Sequence, residues 1–573
     1  MKKLFAVLMA MLIVFSICVP SFAVEIDNTN TSGNAIATYE ANSSFKVTIP
    51  TYIAPSEKGE TASANMYSVT ASDVFIPDGN QLTVTVDYDG ILTDRNGVEI
   101  PYKLFSGGSE VTNGQKIIAK DAGNPDDTAT VNFSAAVQAE PRYAGTYTDT
   151  VTFNISVEEK PYTIEEINAD EHLIAIGKTE PEYVVAKFND DYSDVTIFKN
   201  GSESDGEMKE WSYSDKSPFT EKAETLKRAT IKSGVTNISN HAFYTCALLS
   251  NVTIPDSIIR ISDFAFGSCD LLTNVTIPNS VIDIGYGAFY RCKSLTDIKI
   301  PESVKSIGIS AFDRCTSLAN VIILEGVTSI GRQAFGYCES LTNITIPDSV
   351  TSMGGSAFLL CGSLESVTIG NNVTSLEYAT FQGCTSLTDI KIPNSVTSIK
   401  DNAFTRCTSL KSITLPNSVT SIGKEAFSFC ESLINIGIPS SVKNIGSGAF
   451  SYCKSLTSVI IPQSVTSIGQ KAFYACKSLT SVSISNGITI IDRDTFGGCN
   501  LLTDITIPES VKTIEYYAFY NCEMLESITL PENTTNISSS AFSGSGLKTI
   551  YGTSGSYAET FATENRYTFI AQS

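Results

Sequence analysis

Thiols are the side chains whose spacing in this chain most strongly suggests chemistry. Thirteen of the fourteen cysteines follow one another at intervals of 23 residues, which would place them at one position of a repeating structure. Thiols in such a column could form disulfides, bind zinc, or pack as small apolar groups. An odd number cannot all pair within one chain, and zinc needs paired ligands at close spacing, so we expect free, buried thiols and no metal or other cofactor. The thirteen are Cys246, Cys269, Cys292, Cys315, Cys338, Cys361, Cys384, Cys407, Cys430, Cys453, Cys476, Cys499 and Cys522.

Groups for acid–base or nucleophilic catalysis are sparse. The chain has two histidines, His172 and His241, and it contains no HExxH, no GxSxG and no phosphate-binding loop. His241 falls in a variable column of the first repeat, where we expect a solvated side chain rather than a general base. The sequence therefore predicts a protein that is not an enzyme.

Three aspartates near two glycines resemble a calcium-binding loop at first sight. Asp87, Asp89 and Asp94 lie close to Gly90 and Gly97, but their spacing departs from that of an EF-hand. Hairpin turns explain these residues better, and we expect no metal site here.

The elements that must position the thiols are the repeats themselves. A phenylalanine column keeps the same 23-residue interval from Phe243 to Phe542. In the unit from Leu295 to Ser317, alternating apolar residues up to Ile300 predict a short strand, and Val304 with Ile307 marks a second apolar edge. The Ala-Phe-x-x-Cys segment is long enough for one helical or 3-10 turn.

Two residue types mark the corners of each unit. Proline follows the first strand in ten of the thirteen units from Pro255 to Pro531, where its fixed φ ends strand pairing. Glycine follows the second edge, as at Gly285, Gly308 and Gly331, and we expect it to adopt a left-handed backbone there. Because one unit buries too few side chains to offset the ordering of its backbone, the units must stack. The sequence thus predicts a β-rich repeat solenoid of about 14 units.

The repeat resembles the BspA-like leucine-rich repeats of bacterial surface proteins. The pattern is clearest from Leu456 to Ser478, and the resemblance covers residues 226–550. The segment from Tyr551 to Thr560 is similar to the closing segment of that family. The resemblance implies an extracellular repeat scaffold used for adhesion or protein binding, and it implies no catalytic residues.

The start of the chain has the features of a signal peptide. Lys2 and Lys3 precede an apolar run from Leu4 to Val19, and Ala23 ends a segment suited to cleavage. No later stretch reaches the roughly 18 apolar residues that a membrane-spanning helix needs, so we expect a secreted or cell-surface protein with no membrane span in the mature chain. The net charge of -22 argues against a nucleic-acid partner.

The remaining sequence divides into further segments. Residues 24–158 contain β-rich runs separated by turn signals, which predict an antiparallel β-sandwich. Residues 161–225, which contain the single tryptophan Trp211, are predicted to be a lead-in module. The solenoid then occupies residues 226–550, and residues 551–573 form a C-terminal cap or tail. The β-rich runs include 45–49, 82–86, 129–133 and 150–155.

Two variable columns could carry a ligand surface. One column projects from the first strand, is mostly threonine, and is interpreted as a solvated strand face. The other lies just before the cysteines and is rich in tyrosine and arginine, the residue types enriched at binding hot spots. The alternative interpretation is that the tyrosines only cover the helical turn. The predicted ligand ridge comprises Tyr244, Tyr290, Arg291, Arg314, Tyr337, Arg406, Phe429, Tyr452, Tyr474 and Tyr520.

Two functions fit such a ridge. The first is an adhesion or interaction scaffold that binds a host or neighbouring-cell protein through a broad face. The second is a carbohydrate- or cell-wall-binding protein, possibly an accessory to an extracellular enzyme, which would need aromatic platforms arranged in a groove.

Overall fold

The computed structural model describes residues 161–572, apart from 202 and 203, and a set of strands with a few adjoining residues before residue 161. The chain forms two compact units, Met1–Tyr162 and Thr163–Ser573. Among the described residues, no helix combines the length and apolar character needed to cross a bilayer. The predicted cleavage point after Ala23 lies outside the described residues.

The described strands of the first unit form two sheets of mainly antiparallel strands, as a β-sandwich requires. One sheet has the order β1-β12-β5-β9, and the other has the order β11-β6-β7-β10-β4-β3-β2, with β8 added beside β7. All four β-rich runs of the sequence are strands, because alternating apolar residues favour a half-buried pleated surface. Within the predicted leader, Leu12–Ile17 lies parallel to β12. The strands are β1 (Leu12–Ile17), β2 (Gly33–Tyr39), β3 (Ser43–Ile49), β4 (Tyr67–Phe75), β5 (Asn80–Asp87), β6 (Ile91–Asp94), β7 (Glu99–Ser106), β8 (Ser109–Glu110), β9 (Gln115–Asp121), β10 (Ala129–Val137), β11 (Tyr147–Thr148) and β12 (Thr150–Glu159).

The second unit opens with a module whose sheet continues into the solenoid. Strands β13, β14 and β15 are antiparallel, whereas β16 joins β15 in parallel and then pairs with the first solenoid strand, Asn251–Thr253. The direction of pairing therefore changes within one sheet, from hairpins to stacked repeats. Its elements are α1 (Ile164–Ala169), β13 (Leu173–Ala175), a 3-10 turn (Pro181–Tyr183), β14 (Val184–Phe188), β15 (Asp194–Lys199), α2 (Pro218–Glu221) and β16 (Arg228–Ile231).

The solenoid repeats two short parallel strands in nearly every unit, which matches the predicted fold; at Asn274 the first strand is reduced to single bridges with Asn251 and Asp297. Equivalent strands pair across 23 residues, as Asp297 pairs with Asn320 and Ser306 with Ser329. The strands of the first ladder are Asn251–Thr253, Asp297–Ile300, Asn320–Ile323, Asn343–Thr345, Ser366–Thr368, Asp389–Lys391, Ser412–Thr414, Asn435–Gly437, Ser458–Ile461, Ser481–Ile484, Asp504–Thr506, Ser527–Thr529 and Thr549–Gly552. The strands of the second ladder are Asn237–Ile238, Arg260–Ile261, Asp283–Ile284, Ser306–Ile307, Ser329–Ile330, Ser352–Met353, Ser375–Leu376, Ser398–Ile399, Ser421–Ile422, Asn444–Ile445, Ser467–Ile468, Ile490–Ile491, Thr513–Ile514 and Asn536–Ile537.

The phenylalanine column forms the centre of the solenoid core. From Phe243 to Phe542, successive ring centroids lie 5.2 to 5.6 Å apart and the rings stay within 18° of parallel. Every ring is at most 2% exposed. The fixed interval of the sequence thus becomes one continuous apolar stack, which buries what a single unit could not.

The cysteine column runs beside the phenylalanines. All thirteen cysteines from Cys246 to Cys522 are free and buried, as the sequence predicts. Each thiol donates a hydrogen bond to a phenylalanine carbonyl of the preceding unit, as Cys315 Sγ does to Phe289 O at 3.1 Å. Burial raises the pKa of these thiols, and for Cys361 to about 12. The column is therefore apolar packing that also satisfies backbone carbonyls.

The expectation for the glycines after the second strand is wrong. Gly285, Gly308 and Gly331 do not have positive φ. They are small because neighbouring units approach closely: a Cβ on Gly308 would lie 2.3 Å from the carbonyl oxygen of Gly285. The left-handed backbone occurs instead at the turn, in the column just before alanine and in the column just before cysteine, and both columns mostly carry residues other than glycine.

The turns themselves are short, as predicted, and their hydrogen bonds follow the 3-10 pattern. In one unit, the Cys315 amide donates to Phe312 O, and the Leu318 amide donates to Cys315 O. A left-handed residue before each cysteine prevents the turn from extending into a helix. Its amide instead donates to the next unit, as Arg314 N does to Gly336 O at 2.8 Å.

The N-terminal module caps the solenoid by imitating a repeat. Phe219 extends the phenylalanine column, with its ring 4.6 Å from that of Phe243. The side chains of Ser217 and Thr220 donate to the carbonyls of Ala242 and Tyr244. In later units the equivalent carbonyls accept backbone amides, so these two hydroxyls satisfy the open end of the array.

The C-terminal end is closed by a helix and a strand. Helix α3 (Tyr557–Glu564) brings Phe561 to 6.1 Å from the last ring, Phe542. The strand Thr568–Ala571 pairs in parallel with Thr549–Gly552, so it continues the first ladder by one strand.

Candidate ligand-binding ridge

The turns form a face of the solenoid that we call the turn face: the Ala-Phe-x-x-Cys segments with the two residues before them and the one residue after them. The ten residues of the predicted ridge all lie on this face. The column just before cysteine adopts left-handed φ values, between 55° and 63° for Arg291, Arg314, Tyr337, Arg406, Phe429 and Tyr452. Left-handed backbone costs a residue with a Cβ about 1–2 kcal/mol, and glycine would avoid that cost.

The backbone of this column is held by the next unit rather than by its own. Tyr337 N donates to Leu359 O at 2.6 Å, and Tyr452 N donates to Tyr474 O at 2.7 Å. Consecutive residues of the column therefore stand at the spacing of the units, and their side chains are half-buried or exposed, apart from the buried Ala475.

The structure divides the ridge into three groups, of which the first is an aromatic cluster at the N-terminal end. Tyr244 and Tyr290 contact the Phe264 ring edge-on, at 5.7 and 6.1 Å, and Tyr286 contacts it at 4.7 Å. Gly287 makes room for this arrangement, because a Cβ there would lie 2.5 Å from the Phe264 ring.

His241 belongs to this cluster, which corrects the expectation of a solvated side chain. Its ring lies 5.4 Å from Tyr244 and 5.3 Å from Phe264. Burial lowers the pKa of His241 below its ordinary value, opposed by a hydrogen bond to the Trp211 backbone and by the charge of Asp263. The residue is therefore a packed aromatic group at neutral pH.

The second group centres on Arg314. Its guanidinium carbon lies 4.2 Å from the centroid of the Tyr337 ring, in a cation–π contact. Arg291 occupies the same column one unit earlier and is exposed. Asp313 precedes Arg314 in the chain; its side chain is 7% exposed and its Oδ2 is 3.8 Å from Arg314 Nε.

The third group is an aromatic row near the C-terminal end. Phe429 and Tyr452 stack with centroids 4.3 Å apart and planes 6° from parallel, and Tyr474 meets Tyr452 edge-on at 5.6 Å. Arg406 lies over the Phe429 ring at 5.8 Å. Tyr520 contacts Tyr517 at 5.5 Å.

The sequence interpretation missed several exposed residues that share the turn face. They lie one or two residues after the position of Gly285 and Gly308, which follows the second strand. Their large side chains are the feature of the sequence that could have identified them. Phe264 and Tyr517 lie in a left-handed column that nothing in the motif marks. The exposed members are Tyr286, Ile309, Tyr378, Tyr516 and Tyr517.

The first-strand column is solvent-exposed in every unit, in agreement with its interpretation as a solvated strand face. Ile322 and Ile460 are its large apolar members, at 54% and 69% exposure. The column consists of Thr253, Thr276, Lys299, Ile322, Thr345, Thr368, Lys391, Thr414, Gly437, Ile460, Ser483, Thr506 and Thr529.

Groups for metal binding do not converge in the part of the chain that the structure describes, where no set of three or more His, Cys, Asp or Glu side chains is placed to hold an ion. Asp89, one of the three aspartates considered for calcium, lies outside the described residues. His172 stacks on Tyr192 at 5.1 Å and its Nδ1 lies 3.3 Å from Asp170, far along the chain from the ridge.

Comparison with known proteins gives a family match over most of the solenoid. Residues 215–342, 328–457 and 443–565 match the model of the BspA type leucine rich repeat region, which spans six copies of the repeat. No curated protein matches the chain.

Three solved structures illustrate the similarity. A leucine-rich repeat protein from Bacteroides ovatus is 27% identical with a TM-score of 0.48, covering 68% of this chain and 98% of its own. A leucine rich cell surface protein from Faecalibacterium prausnitzii is 28% identical with a TM-score of 0.38, covering 61% and 94%. The pneumococcal vaccine antigen PcpA is 20% identical with a TM-score of 0.41, covering 70% and 98%.

Proposed function

The chain belongs to the BspA-type leucine-rich repeat family, and from this membership and the geometry of the ridge we propose that it is an extracellular binding protein. It engages proteins of a host or a neighbouring cell through the turn face and performs no catalysis. Export follows from the signal peptide predicted over residues 1–23, and it agrees with the surface or secreted character of the family.

The observation that carries this proposal is the contrast between the frame and the ridge. Phenylalanine, cysteine and leucine recur in the buried columns almost without change, whereas the column before cysteine varies from unit to unit. Large residues occupy many positions of this left-handed column, although glycine, which is present at Gly383 and Gly498, would relieve the backbone strain. Tyrosine and arginine there supply the contact area and hydrogen bonds of a protein interface.

The packing of the aromatic rings favours a protein partner over a glycan. A sugar ring stacks on an open aromatic face, whereas the rings around Phe264 meet one another edge-on. Such a cluster offers a broad apolar patch with hydroxyl groups at its rim, which suits a protein surface.

The test compares two triple variants in binding to immobilised extracellular matrix proteins and to a glycan array. Arg291→Asn, Arg314→Asn and Tyr337→Asn together remove the central group, and asparagine already occupies this column at Asn521. We expect this variant to lose binding to a matrix protein without a change in its melting temperature. Unchanged affinity would contradict the proposal, and binding to glycans alone would establish the carbohydrate-binding alternative.

The matched control lies on the first-strand column. Lys299→Thr, Ile322→Thr and Lys391→Thr together remove two positive charges and one large apolar side chain, as the ridge variant does. Threonine is the common residue of that column, so the control should retain both fold and binding. Equal loss of binding in the two variants would show that the turn face is not the binding surface.

A further inference from the structure

Arg291 and Arg314 are two positive charges in adjacent units of one column. The phenylalanine rings of their units, Phe289 and Phe312, lie 5.2 Å apart, which is the spacing between those units. Like charges at neighbouring positions repel each other, and this repulsion is relieved when an anion binds between them.

Neither guanidinium is neutralised by a close partner among the described residues. Within the part of the chain that the structure describes, Arg291 makes no ion pair or hydrogen bond through its side chain. The contact of Arg314 with Asp313, at 3.8 Å, is too long for a hydrogen bond. Some other cations of the solenoid are paired closely, as Lys293 is with Asp270 and Lys454 with Glu431, at 2.7 and 2.8 Å. In a chain with 61 acidic residues, these two arginines keep their donors available.

Tyr337 orients one of these donors. The Arg314 guanidinium lies over the ring at 4.2 Å, and its side chain stays 46% exposed. Stacking restricts the arginine side chain, so less conformational entropy is lost when the planar guanidinium forms two parallel hydrogen bonds to a carboxylate.

Asp313 adds a second independent feature. Its Oδ1 is buried and has no hydrogen-bond partner, and burial raises the pKa of this carboxyl to about 6. The buried carboxyl of Asp313 partly offsets the positive charge of Arg314, but it accepts no hydrogen bond from the guanidinium. It also lies directly over Gly336, where a Cβ would come within 2.7 Å of Oδ1.

From these features we propose that Arg291 and Arg314, with Tyr337 behind them, form an anchor for carboxylate side chains of an acidic segment in the protein partner. The inference rests on the proposed function and adds the chemistry that the ridge recognises. Arg332, which follows Gly331 in the next unit, is also exposed and makes no side-chain ion pair or hydrogen bond among the described residues.

The probe is a fluorescent peptide of alternating glutamate and glycine, titrated into the full chain at low and at moderate salt. We expect binding that weakens with salt and that falls at least tenfold in the double variant Arg291→Asn with Arg314→Asn. Replacing both arginines by lysine should give an intermediate loss, because the charge remains while the planar donor pair does not. Asp313→Asn should strengthen binding several-fold, because it removes the nearest negative charge.

The controls separate local recognition from net charge and from folding. Arg260→Ser with Lys299→Thr removes two positive charges from the strand faces and should leave peptide affinity unchanged. Circular dichroism melting curves report whether any variant is misfolded. Equal loss in this control would overturn the inference.

Two further outcomes would also overturn it. One is absence of peptide binding to the unmodified chain, and the other is a preference for heparin that persists in the lysine variant, which would indicate a sulfated glycan. If the peptide fails to bind while the ridge triple variant still loses a matrix protein, the carboxylate anchor is refuted and the proposed function stands.

Discussion

Replacing Asp313 with serine should stabilise the solenoid at neutral pH. The carboxyl lies in the column after phenylalanine, where other units carry Ser428 and Ser451, whose hydroxyls hydrogen-bond each other at 2.7 Å. Burial raises the pKa of Asp313 from 3.8 to about 6. A shift of about 2 units at about 1.36 kcal/mol each corresponds to about 3 kcal/mol of destabilisation once the carboxyl is charged.

The dependence on pH follows from the direction of that shift. Because the folded protein holds this proton more tightly than the unfolded chain, the cost is absent below about pH 4 and complete above about pH 6. The contribution of Asp313 therefore lowers the stability of the parent chain as pH rises through this interval. The serine variant should lack this decline, so its advantage should be near zero at pH 3.5 and about 3 kcal/mol at pH 7.5.

Urea unfolding followed by circular dichroism at several pH values measures the difference. Asp256→Ser is the matched control, because Asp256 is an exposed acid in a corner of the first repeat. An advantage of the Asp313 variant that is equal at pH 3.5 and 7.5, or a variant less stable than the parent at pH 7.5, would refute the reasoning.

Three further predictions concern the frame. Phe427→Ala should lower the free energy of unfolding by about 3–5 kcal/mol and raise amide hydrogen exchange in the units on both sides of the lost ring. Phe427→Leu should lower it by less. Exchange changes confined to one unit would contradict a continuous stack. Thiol titration without reductant should find almost no reaction in the native protein and about thirteen thiols after unfolding, apart from Cys18; a count near one would establish disulfides. Ser217→Ala with Thr220→Val should lower the free energy of unfolding by about 1–3 kcal/mol for each carbonyl left unpaired. Hydrogen exchange should show that the N-terminal end of the solenoid unfolds first. Protection there equal to that of the parent chain would exclude a capping role.

Much of the fold could be predicted because the repeat interval acts on every unit in the same way. A residue such as Phe312 or Cys315 recurs at one interval, and stacking of units is the arrangement that buries all members of its column together. The two strand edges follow from the same regularity, since Ile298, Ile300 and Ile307 alternate with polar neighbours.

Backbone conformation was harder to predict. Glycine after the second strand indicated positive φ, but Gly308 serves close contact between units, and the left-handed positions carry residues such as Arg314 and Tyr337. Their conformation depends on backbone hydrogen bonds to the following unit. Such bonds cannot be predicted from the residue types within one turn.

The ridge was predicted as a column, but its internal grouping was not. Phe264 contacts each tyrosine of the first cluster, yet it lies outside the column that the sequence predicts as the contact surface. Phe219 likewise joins the phenylalanine stack from a segment with no repeat pattern. Contacts of this kind arise between columns or between a cap and the first unit, where periodicity carries no information.

From Phe243 to Phe496, the carbonyl of each core phenylalanine receives both an amide from its own unit and a thiol from the next, as Phe289 O does from Cys292 and Cys315. Every unit consequently presents the same upper and lower surface to its neighbours. Duplication or loss of a whole unit by recombination would therefore join compatible surfaces. Descendants of this gene can change the length of the solenoid in steps of about 5 Å while the packing of its core stays the same.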